Sequence, residues 1–192
     1  MRDFEEAPNP CSVEELTQLL LVFDQPRGLH HSVAITGGEP LLRVAFLEEL
    51  FPRLKQEGFN IYLETAGDLY RGLSKVIHWV DYISMDIKIP SVTRDKPLWE
   101  QHEAFLSIAS QKQVFAKAVV CFDTTDEEIQ KAASIIAKAA PSTLLILQPV
   151  TPCGQITQSA TPSQLLNWQK LSRQQIPNVR IIPQCHKLMG QL

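Results

Sequence analysis

Cysteine is sparse in this sequence, and no two cysteines lie near each other. The four are Cys11, Cys121, Cys153 and Cys185. No C-x-x-C or similar ligand pair exists, so a zinc or iron–sulfur site built from one stretch of chain is not expected. Reduced thiols in a cytosolic protein are the expectation. Long apolar runs are also absent, and none reaches the roughly 18 residues that a membrane helix needs. There is no run of lysine and arginine, and 18 basic against 21 acidic residues leave a net charge of −3. A nucleic-acid surface is therefore not expected. The first residues, Met1-Arg2-Asp3-Phe4-Glu5-Glu6, are polar and acidic, unlike a signal peptide. Low-complexity segments and close repeats are lacking. Together these absences point to a cytoplasmic chain with no membrane association.

What remains is an ordinary globular composition, 44% hydrophobic and 20% charged. A length of 192 residues suits one domain, 1–192, with a full-sized core. Short apolar or β-branched runs predict strands at Ser32–Thr36, Asn60–Thr65, Tyr82–Lys88, Val114–Val120, Leu144–Val150 and Val179–Pro183. They are nearly continuous apolar runs, as expected of buried parallel strands.

Helices are predicted between them. Ser12-Val13-Glu14-Glu15 is a capping box opening a helix to Phe23, with Leu16, Leu19, Leu20 and Phe23 on one face. Pro40 suits the first position of a helix to Gln56, where its missing N–H costs nothing. Leu42, Phe46, Leu50 and Leu54 recur every four residues there, and Gly58 can end it. Shorter helices are predicted at Leu69 to His78 and Leu98 to Ser110. Thr125-Asp126-Glu127-Glu128 opens another to about Ala139. Thr161-Pro162-Ser163-Gln164 opens the last, to about Arg173. Alternating strands and helices imply a parallel sheet with right-handed crossovers. An open doubly wound sheet and an incomplete barrel both fit, and six strands are too few for the eight-stranded barrel. The order begins on a helix, so a preceding strand is expected outside this sequence.

In both architectures ligands bind at the carboxyl ends of the strands. The first strand runs into Thr36-Gly37-Gly38-Glu39-Pro40. Two glycines let the backbone turn sharply and approach a ligand closely. Glu39 can accept from an ammonium group or cap the following helix. The second ends in Leu63-Glu64-Thr65-Ala66-Gly67, where Glu64 can bond ligand hydroxyls or form a rim salt bridge. In the third, alternation puts Ser84, Asp86 and Lys88 on one face. They form either a polar site inside a barrel or an internal Asp86–Lys88 pair. Lys117, between apolar residues of the fourth, is a weaker signal. Gln148, at the end of the fifth, offers a donor and an acceptor to a heterocycle edge. His186 follows the sixth, placed for ligand contact or for structure.

In their order and spacing these motifs resemble one family. Thr36-Gly37-Gly38-Glu39-Pro40 looks like the glycine-rich motif of radical S-adenosylmethionine enzymes. With Leu63–Gly67, Ser84–Lys88, Leu147–Pro152 and Ile182–Gly190, the chain resembles the 7-carboxy-7-deazaguanine synthases of queuosine biosynthesis. The resemblance runs from about residue 30 to the carboxyl terminus, more loosely from residue 12. It implies a partial parallel (β/α) barrel of about six strands with outer helices, the family's first strand and cluster loop lying outside the sequence.

It also implies radical lyase chemistry. A [4Fe-4S] cluster cleaves S-adenosylmethionine, and 6-carboxy-5,6,7,8-tetrahydropterin becomes 7-carboxy-7-deazaguanine with magnesium assisting. By position, the resemblance assigns Gly37, Gly38 and Glu39 to the methionine end of the cofactor and Glu64 to its ribose. Ser84, Asp86, Lys88 and Gln148 would line the cofactor and the barrel interior. Thr36, His186 and the terminal Leu192 would approach the pterin. The family's C-x-x-x-C-x-x-C does not occur in this sequence. An inactive chain as it stands is therefore the expectation, with neither catalytic nor metal-ligating residues assigned. The alternatives are a cluster-less protein binding S-adenosylmethionine or pterin, a barrel that needs a partner chain (a homodimer among the options), and an activase-type radical enzyme.

Overall fold

The structure, a computed structural model, describes residues 11–152 and 154–188, without the side chains of residues 186 and 188. Six strands form one sheet in sequence order: β1 (Val33–Ile35), β2 (Ile61–Thr65), β3 (Tyr82–Asp86), β4 (Gln113–Val120), β5 (Leu144–Pro149) and β6 (Val179–Ile181). Every neighbouring pair is parallel. Parallel neighbours in sequence order, joined by crossovers of one hand, carry their connecting helices on the same face. This is a sheet curling toward a barrel without closing, so the doubly wound alternative is set aside.

The helices are α1 (Val13–Phe23), α2 (Val44–Gln56), α3 (Tyr70–Val76), α4 (Pro90–Thr93), α5 (Trp99–Ala109), α6 (Asp126–Ala139), α7 (Pro162–Arg173) and α8 (Cys185–Leu188). Their starts follow the sequence closely. Reciprocal capping boxes join Ser12 with Glu15, Thr125 with Glu128 and Thr161 with Gln164. α2 ends as predicted: the N–H of Gly58 donates to the Lys55 carbonyl and that of Phe59 to the Leu54 carbonyl, the paired bonds of a Schellman stop. No helix among the described residues is long and apolar enough to cross a membrane.

Two expected faces differ. Pro40–Arg43 is a separate 3-10 turn, and α2 begins only at Val44. Three residues per turn rotate the face relative to an α-helix. Leu41 is therefore buried and Leu42 exposed, while Leu47, Leu50, Phe51 and Leu54 carry α2 into the core. On α1, Leu16 and Leu20 pack on the core, but Leu19 and Phe23 are exposed. α1 lies at the edge of the layer against α2, so among the described residues part of its apolar stripe is uncovered.

Along each strand, alternate residues go to opposite faces. The outer face, beneath the helices, holds Ile61, Leu63, Ile83, Met85, Ala116, Ala118, Leu145 and Leu147, all fully buried. The inner face holds Tyr62 and Glu64, Tyr82, Ser84 and Asp86, Phe115 and Lys117, Ile146 and Gln148. The two faces thus carry opposite chemistry.

Candidate functional site

The inner face is layered. Toward the amino ends of the strands it is aromatic: Tyr62 pairs in register with Tyr82 and lies 6.2 Å from the Phe115 ring, and His31 lies 4.7 Å from Tyr82. One pleat further along, the character changes. Glu64 is in register with Ser84, and Asp86 with Lys117. Along β2 and β4 the charged layer therefore follows an aromatic residue by one pleat, Glu64 after Tyr62 and Lys117 after Phe115. The layer steps up across the sheet because Phe115 is level with Ser84.

Lys117 is the centre of that layer. Its Nζ donates to Glu64 Oε1 at 3.0 Å and lies 3.1 Å from Asp86 Oδ1. The Asp86 contact is ionic, since that oxygen lacks a hydrogen-bond alignment among the described residues. Lys88 Nζ donates to Asp86 Oδ2 at 2.9 Å, and the Thr36 hydroxyl donates to Glu64 Oε2 at 3.3 Å. Three strands and the turn after β1 thus contribute to one network of two carboxylates and two ammonium groups. The balance of charge is what allows these groups to be partly buried. Burial by itself would push the Lys117 ammonium down, but the carboxylates of Asp86 and Glu64 outweigh it and hold the group above its ordinary value.

Beside this network the chain makes its glycine turn. Gly37 and Gly38 have φ of 84° and 51°, the left-handed region where a side chain is strained. A side-chain carbon at either position would meet nothing within 4 Å. The glycines are needed for conformation, and the space over the turn is open.

Glu39 takes the internal role of its two possible ones. Its carboxylate accepts from Leu41 N–H at 3.1 Å, from the Thr65 hydroxyl at 2.8 Å and from Ala66 N–H at 2.7 Å. It caps the 3-10 turn and ties the β1 loop to the end of β2. Thr65 matters here because its hydroxyl also accepts from Gly67 N–H at 3.2 Å.

His102 was not legible as a site residue, for it sits on α5 with no motif around it. It is fully buried. Nδ1 lies 2.8 Å from the Gly67 carbonyl and Nε2 accepts from Lys88 N–H at 3.0 Å. Those partners fix the tautomer, with the proton on Nδ1. Burial pushes its pKa below the ordinary value, so the ring stays neutral and can keep accepting from Lys88. Gly67, at φ 71°, is close-packed as well: a side-chain carbon there would come within 2.5 Å of Met85 Cγ.

The other predicted residues are placed as follows. Ser84 is buried beside Glu64 on the inner face. Gln148 is half-buried, in register with Val119, with no side-chain hydrogen bond among the described residues. The Thr151 N–H after β5 is held by the Gln184 side chain at 2.8 Å. The side chain of His186, and Leu192 entirely, lie outside the described residues. Cys11 and Cys185 are exposed, and Cys121 is buried beyond the end of β4. Among the described residues no three His, Cys, Asp or Glu side chains group to hold a metal.

No protein-family model matches the chain. A search of curated proteins finds clear relatives. The chain is 44% identical over 192 residues to 7-carboxy-7-deazaguanine synthase of Geobacter sulfurreducens, covering 100% of this chain and 76% of that protein. It is 39% identical over 154 residues to the enzyme of that name from Thermococcus kodakarensis, covering 78% of this chain and 59% of the relative. Among solved structures, a radical SAM methyltransferase from Sphaerobacter thermophilus superposes with a TM-score of 0.65 at 14% identity, over 90% of this chain and 58% of that one. The superposition speaks for the fold, and the sequence identities speak for the family: the chain belongs to the 7-carboxy-7-deazaguanine synthases.

Proposed function

We propose that this chain forms the S-adenosylmethionine- and pterin-facing part of a 7-carboxy-7-deazaguanine synthase, a radical lyase acting on 6-carboxy-5,6,7,8-tetrahydropterin in a cytoplasmic setting. The observation that carries the proposal is the network of Glu64, Asp86, Lys88 and Lys117 on the inner face beside the Gly37–Gly38 turn. A zwitterionic amino acid joined to a nucleoside needs complementary charges, exposed backbone groups and a carboxylate for ribose hydroxyls, and that end of the sheet offers all three.

In this reading, Gly37, Gly38 and Glu39 hold the methionine end, the glycines through their backbone groups and Glu39 through its carboxylate, which also braces the turn. Glu64 takes the ribose. Ser84, Asp86, Lys88 and Gln148 line the remaining inner surface, with the Lys88 ammonium suited to the cofactor carboxylate. Thr36, His186 and Leu192 face the pterin, with magnesium on the substrate side.

A [4Fe-4S] cluster does not fit the described residues of this chain. Thiolate clusters need converging cysteines, and among the described residues no three His, Cys, Asp or Glu side chains group to hold a metal, Cys11 and Cys185 being exposed and Cys121 buried. The chain by itself therefore binds S-adenosylmethionine without cleaving it. Calorimetry of the purified chain with S-adenosylmethionine and with 6-carboxy-5,6,7,8-tetrahydropterin tests this reading. Saturable binding of S-adenosylmethionine supports the cofactor part of the reading and of the pterin the substrate part; a ligand that does not bind overturns its own part, and no binding of either overturns the whole. Iron and sulfide analysis after anaerobic reconstitution is expected to find no cluster.

A second reading, a barrel that needs a partner chain, is favoured by the β1 edge. Among the described residues β1 pairs only with β2, and Leu19, Val22, Phe23 and Leu29 are exposed on α1 and the loop before β1. Exposed strand edges and apolar patches call for a cover, and a homodimer would supply one. Light scattering that finds a stable monomer would count against it.

A further inference from the structure

We infer that Lys117 is the positioning residue of the cofactor site, orienting the Glu64 carboxylate toward a ribose diol; this rests on the reading of Glu64 as the ribose ligand. Glu64 sits on β2 and Lys117 on β4, with β3 between them. The lysine stem must cross β3 to reach Glu64. Ser84 is the β3 residue in register with Glu64, and it is small. A bulky residue there would stand in the path. The crossing is therefore built by three strands together.

The geometry of Glu64 shows what the crossing achieves. Oε1 is held by Lys117 at 3.0 Å, and Oε2 is met by the Thr36 hydroxyl at 3.3 Å. The strong charge-assisted bond is on one oxygen and the long neutral bond on the other. A ligand hydroxyl can replace the Thr36 contact while the Lys117 bond keeps the carboxylate in place. Asp86 plays the opposite part. It stands beside Lys117 with its other oxygen on Lys88, so the lysine is anchored from its own side and its reach is set. Lys117 has 18% side-chain exposure against 40% for Glu64. The lysine is the sheltered partner and the carboxylate faces the open space, as expected when the first positions and the second contacts the ligand.

The test is calorimetry of S-adenosylmethionine and of its 2′-deoxy analogue with the wild-type chain, K117M, K117R, E64Q and K117M/E64Q. A site that bonds a hydroxyl discriminates against an analogue lacking it, so the wild type is expected to prefer the ribo form by about tenfold or more. K117M is expected to lose most of that preference along with about tenfold in affinity, and K117R to recover much of both. Because Lys117 acts through Glu64, K117M/E64Q should bind no worse than E64Q alone. A K117M protein that keeps the wild-type ribose preference, or losses that multiply in the double variant, overturn the inference while leaving the cofactor reading standing. Failure of the wild type to bind S-adenosylmethionine overturns the cofactor reading, and this inference falls with it.

Discussion

The two faces of the sheet come from the same six strands and behave as different materials. The outer face of β2 and β3 is Ile61, Leu63, Ile83 and Met85, none of it exposed. One residue along, the inner face carries Tyr62, Glu64, Tyr82, Ser84 and Asp86. The outer face works by dense apolar packing, which is strong, non-directional and intolerant of change in volume. The inner face works by a few directed polar contacts, each individually weak toward stability because the groups are partly solvated. A sheet that does not close leaves the inner face free for a ligand, and the helices on the other side carry the stability.

The largest expected effect lies on the outer face. Ile83→Ala should destabilise the fold by about 3 kcal/mol, through lost burial and a cavity, as read by urea unfolding. A loss below about 1 kcal/mol would break the comparison, because it would mean the helix-facing layer is not the packed one. Gly67→Ala comes next, at about 2 kcal/mol, since the new carbon meets Met85 and the backbone there is left-handed.

His102 joins the two faces, reaching from α5 to the loops that carry Gly67 and Lys88. Its folded pKa lies below the ordinary 6.5. Below that value the unfolded chain takes up a proton that the folded chain refuses, so the unfolded state binds more protons and stability falls as pH falls. Unfolding measured from pH 7 downward should show this loss beginning near 6.5, and H102Q should lack that component. An unchanged slope in H102Q would show that the ring is not held neutral by its surroundings.

The smallest effect on stability is expected on the inner face. Glu64→Gln should change unfolding free energy by less than about 1 kcal/mol, yet weaken S-adenosylmethionine binding by about tenfold or more. Equal losses in both measurements would make Glu64 a structural residue and remove the contrast between the faces.

Much of this was legible in one dimension. The six strands are where the short apolar runs place them, and three helix starts could be read from Ser12, Thr125 and Thr161, because a capping box is a contact between residues three apart. The start of α2 and the face of α1 were less legible. A 3-10 turn at Pro40–Arg43 moved Leu42 outward, and the edge position of α1 left Leu19 and Phe23 uncovered, both matters of surroundings rather than spacing. In the site, the glycine turn and the residues Glu64, Asp86 and Lys88 stood out because each closes a strand in a motif.

Lys117 and His102 did not stand out, since their partners lie on other elements. Lys117 reads as one polar residue in an apolar strand until β2, β3 and β4 are laid side by side in register. His102 reads as a helix residue until α5 packs over two loops. Glu39 shows the boundary most clearly. Its spacing from Pro40 permits a cap, and only the approach of Thr65 and Ala66 at the end of β2 shows that the same carboxylate also ties two loops together. Local periodicity, caps and strand-end motifs are properties of neighbours along the chain. They were enough for a parallel sheet of six strands and for its carboxyl end as the candidate ligand side, while the strand order stayed open between two architectures until the structure showed β1 to β6 side by side. Which carboxylate is held, by which cation and in which orientation depends on groups brought together across the sheet, where register and packing choose among contacts that the sequence leaves equally open.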